Sequence, residues 1–130
     1  MNKFFQFNEL VELGKIFMDC EAYLIALEHF DKALELSYLP INKNRIFELF
    51  KNRGNINAHL LRYNEAIIDY SKAIRIEPNN IDLYIFRAIA YELSHQDQLA
   101  YKDYKFAHFL NPNCGIARHM INYLQKKLKN

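Results

Sequence analysis

The sequence predicts an all-α fold built as a stack of helical hairpins. Three observations predict it. In Tyr63 to Asn80, Ala66, Ile67, Tyr70, Ala73 and Ile74 recur at the three- and four-residue steps of one helix face. Pro78 stops that helix, and Asn79-Asn80 can start the next. Second, Ala66, Tyr70, Ala73 and Pro78 return as Ala100, Tyr104, Ala107 and Pro112, each 34 residues later. Ala26, Phe30 and Ala33 stand 40 residues before Ala66, Tyr70 and Ala73. A helical unit at such a period is the signature of a stacked array. Third, the alanines fall on the buried stripe, where a small side chain lets a neighbouring backbone come close.

Composition agrees. Of 130 residues, 51% are hydrophobic and only 3 are glycine and 3 proline, which fits one packed helical domain. Disorder would need fewer apolar residues and more net charge. Seventeen basic against fifteen acidic residues leave a formal charge of +2, too even to imply nucleic acid or an anionic membrane by electrostatics alone. No apolar run approaches a membrane span. The opening MNKFFQFNELVEL carries acids within its apolar stretch and lacks a small-residue cleavage site, so it does not read as a secretory signal. Cys20 and Cys114 lie in the first repeat and at the very end of the last. That separation argues against a disulfide and for a reducing cytoplasm.

The elements follow in order, as one domain over 1–130. Repeat one covers about 7–40. Its first helix holds Leu10, Leu13, Gly14 and Phe17 on one face, and its second holds Tyr23, Ala26, Leu27, Phe30, Ala33 and Leu34. Its connector, near Cys20 to Ala22, lacks a Gly or Asp turn signal. The spacing then grows by six residues within Ser37 to Asn44, past Pro40. Either the loop is longer or the next helix starts a turn early, near Lys43, with Asn42 as N-cap. Repeat two covers about 47–80, with Phe50, Arg53, Gly54 and Asn57 on its first helix. Repeat three covers about 81–114. Its first helix carries Tyr84, Arg87, Ala88 and Tyr91 behind an Asn80 cap, and its second begins at Gln96 or Asp97. At 115–130, Ile116, Met120, Tyr123, Leu124 and Leu128 form an amphipathic stripe suited to closing the array with one wet face. Lys126, Lys127 and Lys129 sit where cations favour a helix C-terminus.

These residues resemble the tetratricopeptide repeat. Its pattern is an aromatic, Leu-Gly and an aromatic on the first helix, then Ala, an aromatic, Ala and Pro on the second. Repeat one matches at Leu13, Gly14, Phe17, Tyr23, Ala26, Phe30 and Ala33. Repeat two matches at Phe50, Gly54, Tyr63, Ala66, Tyr70, Ala73 and Pro78. Repeat three matches at Tyr84, Ala88, Tyr91, Ala100, Tyr104, Ala107 and Pro112. Arg53 and Arg87 stand where leucine is usual, Asn57 replaces an aromatic, and Tyr38 stands where repeat one would have proline. The resemblance implies a right-handed α-solenoid of three helix-turn-helix hairpins plus a C-terminal capping helix, about seven helices in all. It also implies a concave groove, lined by the first helices, that binds a peptide or helix of a partner protein.

By that mapping the partner-binding groove takes Val11 and Lys15 from repeat one, and Lys51, Asn52, Asn55 and His59 from repeat two. Repeat three adds Ile85, Phe86, Ile89 and Glu92. Lys51 and Asn55 match half of the clamp with which one subfamily holds the terminal carboxylate of chaperone tails. Phe86, Ile116 and Met120 stand where its remaining polar and basic residues would be, and the alternative register puts Val11 in place of a lysine. With Ile85, Phe86, Ile89 and Leu93 on one side and Tyr84 and Tyr91 on the other, the first helix of repeat three is apolar nearly all round. Such a helix should be covered. The cover is a partner's apolar segment, the chain's own C-terminal helix or N-terminal Phe4, Phe5 and Phe7, or a second copy.

Catalytic chemistry is not visible. His29, His59, His95, His108 and His119 are scattered, with no HExxH or CxxC. Glu9, Glu12, Glu48 and Asp69 form no recognisable acid–base pair. No phosphate loop or GxSxG is present, and neither cysteine has a nucleophile signature. The abundant aromatics read as core, since base stacking would want a basic stripe between them. The expectation is a cytoplasmic, non-enzymatic adaptor or scaffold with no cofactor or metal and no nucleic-acid or membrane partner. It is a monomer or homodimer that binds another protein. The rivals are a secretion-type or co-chaperone-like protein for one client, and a self-associating structural module.

Overall fold

The computed structural model describes residues 2–129, and among them there are seven helices and no strand. They are α1 (Lys3–Asp19), α2 (Tyr23–Glu35), α3 (Lys43–His59), α4 (Tyr63–Ile76), α5 (Ile81–Leu93), α6 (Asp97–Leu110) and α7 (Gly115–Lys129). Helices α1 and α2, α3 and α4, and α5 and α6 pair as hairpins, and α7 packs on α6. The architecture is an α-solenoid.

Each hairpin closes on the same turn. The N–H of Ala22, Arg62 and Gln96 donates to the carbonyl of Phe17, Asn57 and Tyr91, five residues back, at 2.7 to 2.8 Å. The residue before each of them, Glu21, Leu61 or His95, is in the left-handed region, with φ of 59°, 61° and 63°. This is a Schellman closure made without glycine. The turn signal is therefore absent from the sequence while the turn itself is regular.

The added spacing between repeats one and two is part helix, part loop. Helix α3 starts at Lys43, and the Asn42 side chain accepts from the N–H of Asn44 at 2.8 Å. Helix α1 does the same forty residues earlier: Asn2 caps it by accepting from the N–H of Phe4 at 2.9 Å. The first helix of repeat one thus begins a turn before the expected Phe7. Asn80 corrects another expectation. It precedes α5, but its side chain makes no cap; the Asn80 amide donates to Glu77 Oε2 at 3.0 Å instead.

Three buried clusters run along the array, and each reaches into the element that follows. Phe7, Val11, Ala26, Phe30 and Ala33 pack with Leu49 and Ile56 of α3. Phe47, Ala66, Tyr70 and Ala73 pack with Leu83 of α5. Tyr84, Ala88, Ala100, Tyr104 and Ala107 pack with Ala117 and Leu124 of α7. Removing a side chain such as Phe30 from water contributes about 1.5–3 kcal/mol, so neighbour-to-neighbour contact holds the row together. Close approach is literal at two glycines. A Cβ on Gly14 would lie 2.5 Å from the Phe30 ring, and one on Gly54 2.8 Å from the Tyr70 ring.

The two arginines that replace leucine are built into this packing. Arg53 Nη2 donates to buried Asp69 Oδ1 at 2.7 Å, and Asn57 Nδ2 donates to Asp69 Oδ2 at 3.0 Å. Asn57, where the pattern has an aromatic, adds an amide donor to this buried carboxylate. Through Nη1 the same Arg53 donates to Asp31 of the previous hairpin at 3.1 Å. Arg87 repeats the arrangement. It donates to Asp103 through Nε and Nη2, both at 2.7 Å, and to Ser71 of the previous hairpin through Nη1 at 3.1 Å. Each arginine pins its own hairpin and bridges to the one before.

Candidate functional site: an apolar groove across three hairpins

A cavity of about 790 Å³ runs across the array. Its floor is α5, which turns Phe86, Ile89, Ala90 and Leu93 into it. Asn55, Ala58 and His59 of α3 and Met18 of α1 extend the wall. The second helices add Tyr23, Tyr63 and Tyr70, and the turn adds Leu61. His59 is the one ionisable group among these besides the tyrosine hydroxyls.

Periodicity positions the floor. Tyr84, Ala88 and Tyr91 turn toward α6 and the core, which leaves Phe86, Ile89 and Leu93, three and four residues apart, on the opposite side. These three side chains stay 37%, 41% and 52% exposed. Neither internal cover is in place. Phe4 and Phe5 are themselves exposed, Phe7 is buried in the first cluster, and α7 packs on α6.

Polar groups are placed at the groove by aromatic neighbours. The Tyr70 hydroxyl donates to Asn55 Oδ1 at 2.7 Å, which spends the amide oxygen and leaves the NH2 group as donor. Burial pushes the Tyr70 hydroxyl well above its ordinary pKa, and the charge of Asp69 adds to this. The hydroxyl therefore stays a donor. The Tyr70 ring meets Phe86 at 5.9 Å, and His59 stacks on Tyr23 at 4.9 Å with planes 7° apart.

Of the ten residues expected at the groove, the structure brings Asn55, His59, Phe86 and Ile89 together along it. Six are elsewhere. Val11 is fully buried with Phe7 and Phe30, because the start of α1 is covered on that side by α3. Asn52 is buried in α3, and Ile85 lies in the third cluster beside Tyr84 and Ala88. Lys15 is engaged by Glu48 at 2.8 Å, and that hydrogen bond raises its pKa. Lys51 lies over the Phe47 ring at 5.7 Å. Glu92 accepts from the Tyr104 hydroxyl at 2.6 Å. Spacing alone does not place Met18, Tyr23, Ala58, Leu61, Tyr63, Tyr70 or Ala90 at the groove. These tyrosines pack within the hairpins and line the groove as well. Leu61, 70% exposed at the second turn, carries no signal in the sequence, because nothing local marks that turn.

No group of three or more His, Cys, Asp or Glu side chains among the described residues is arranged to hold a metal ion. Both cysteines are free. Among the described residues no helix is long and apolar enough to cross a membrane.

A row of helical hairpins with an open apolar groove defines an α-solenoid as the class. Residues 47–80 match the family model of the tetratricopeptide repeat, so the chain carries that repeat. It is 31% identical over 108 residues to the DnaJ homolog subfamily C member 7 homolog of Dictyostelium discoideum, covering 83% of this chain and 20% of that protein. It is 37% identical over 70 residues to human tetratricopeptide repeat protein 13, covering 54% of this chain and 8% of that one. The chain thus spans about a fifth or less of these relatives. Among solved structures, the Hsp90 co-chaperone Cns1 of Saccharomyces cerevisiae superposes with a TM-score of 0.81 at 22% identity, over 95% of this chain and 39% of that one. The first TPR of Spaghetti (RPAP3), bound to the HSP90 peptide SRMEEVD, gives 0.77 at 22% identity, over 96% and 94%. At that identity the likeness is one of fold.

Proposed function

We propose that the chain is a non-enzymatic adaptor whose groove binds a segment of a partner protein, peptide or helix, through that segment's apolar side chains. The exposed row Phe86, Ile89 and Leu93 carries this reading. Apolar groups open to water along a cavity gain free energy when a partner covers them, at roughly 25 cal/mol per Å². The NH2 group of Asn55 can donate to a backbone carbonyl of the bound segment and fix its register. His59 gives a second polar contact at the other end. One domain over the whole chain, a cytoplasmic setting and action without a cofactor belong to the same reading; two unpaired thiols suit a reducing compartment.

A chaperone-linked partner is the second reading. The relatives named as DnaJ homologues and the co-chaperone of like fold favour it. In this groove, however, a terminal carboxylate finds Phe86 where the clamp needs an amide, and Ile116 and Met120 where it needs cations. The recognised feature is therefore apolar, whether or not the partner is a chaperone.

The test is a pull-down from native lysate with wild type and Phe86→Asp, alongside circular dichroism. The expected result is a specific partner held by wild type and lost with Phe86→Asp at unchanged helicity. Equal capture by both forms would move the site away from α5.

A further inference from the structure

The outer face of α6 differs from the same face of the earlier hairpins. Lys102, Lys105, Phe106 and Phe109 are three or four residues apart on one side of the helix, and all four are exposed. Phe109 is 75% exposed, the most of any phenylalanine among the described residues. It touches Phe106 at 5.7 Å, which leans on Tyr84 at 4.7 Å. The internal repeats act as a control. Thirty-four residues earlier the places of Phe106 and Phe109 hold Lys72 and Arg75, and in the first hairpin they hold Lys32 and Glu35. All four are exposed and charged, so hairpin packing does not require aromatic rings there. The charge is one-sided as well. The two acids of α6 are both spent, Asp97 on Lys127 at 2.8 Å and Asp103 on Arg87 at 2.7 Å. Lys102 and Lys105 have no acidic partner among the described residues.

We infer that this face is a second interaction surface, separate from the groove, and that it receives an acidic segment of a partner protein carrying an apolar anchor residue. One protruding ring beside a less exposed one, flanked by two lysines that no acid neutralises, one of them over the Tyr101 ring at 5.3 Å, matches an aromatic anchor inside a charged rim. An anionic membrane fits less well. Lying in a bilayer surface takes a broad, continuous apolar helix face, whereas here Lys102 and Lys105 interrupt the exposed Leu99, Phe106 and Phe109, and the rest of the apolar side of α6 is already in the core. A second copy fits less well because, of the three acids on α2, Asp31 is already held by Arg53 and Glu28 by Lys32, which leaves Glu35 alone.

The experiment uses the full chain and a short fluorescent peptide of alternating Glu and Leu, read by anisotropy. Wild type binds it, and affinity falls steeply with added salt. Phe109→Ser, which leaves every charge in place, weakens binding about tenfold, as losing an anchor does. Lys102→Glu with Lys105→Glu abolishes binding, while Phe86→Asp in the groove leaves it unchanged. Thermal melts confirm that each variant is folded. An affinity indifferent to Phe109→Ser overturns the inference. So does peptide binding lost with Phe86→Asp. The inference also falls if Phe109-dependent co-sedimentation occurs only with phosphatidylserine vesicles, or if Phe109→Ser turns a wild-type dimer into a monomer.

Discussion

Arg53 and Asp69 meet at 2.7 Å, and thirty-four residues on Arg87 and Asp103 meet at the same distance. Repeat one has neither partner: Leu13 and His29 hold the corresponding places. Arginine and aspartate thus occur together or not at all, as expected when either alone would be a stranded charge. Arg53→Leu restores the family's usual residue yet should cost about 3–5 kcal/mol, because Asp69 is left buried with only Asn57 to answer it. Arg53→Leu with Asp69→Ala should recover most of that loss. A double-mutant cycle in urea reads the coupling, and two additive losses would refute it.

Gly14→Ala tests the closest approach between α1 and α2. Alanine is the better helix former by about 0.8–1 kcal/mol. Its Cβ, however, would sit inside the van der Waals envelope of the Phe30 ring, and that ring is fully buried. Overpacking of this kind costs about 1–3 kcal/mol, so a net loss is expected. A raised Tm would show that the ring moves aside freely.

Glu21→Gly should act in the opposite direction. Glu21 holds φ at 59°, where a side chain costs roughly 1–2 kcal/mol and glycine almost nothing. After the extra entropy of glycine in the unfolded chain, a gain of about 0.5–1 kcal/mol remains. Chemical denaturation checks it, and a loss would mean that the exposed Glu21 side chain makes a contact of its own.

Alkali should weaken the fold. Burial raises the hydroxyl pKa of Tyr70, Tyr84 and Tyr104, with Glu92 adding at Tyr104. In the unfolded chain these groups ionise near pH 10. Above that pH the unfolded state sheds protons that the folded state keeps, so stability falls as pH rises. Below it the contribution is complete. Tyr104→Phe should flatten the alkaline limb of a Tm-against-pH curve, and an unchanged limb would assign the loss to other groups.

The hairpins and their order were legible because small residues recur at a fixed period, and that period is set by packing. Their turns were not legible, since Glu21, Leu61 and His95 adopt by tertiary demand a conformation that local propensity assigns to glycine. The groove was half legible. Phe86 and Ile89 could be placed because α5 has more apolar residues than its core side needs. Ile85 could not be separated from them, as the buried arc of α5 is wider than a heptad stripe. Val11 and Asn52 failed for a related reason: which flank of a first helix its successor covers depends on how hairpins pivot, and one-dimensional spacing does not encode pivot.

The arginine bridges make the hairpins non-interchangeable. The site that meets the following hairpin's arginine is Asp31 in the first, Ser71 in the second and, by the same spacing, Lys105 in the third. Transposing the last two cassettes would set Lys105 against the guanidinium of Arg53, cation on cation. Shuffled versions of this chain should assemble only when the acidic or hydroxyl edge precedes each arginine, so a row that looks periodic carries a one-way grammar.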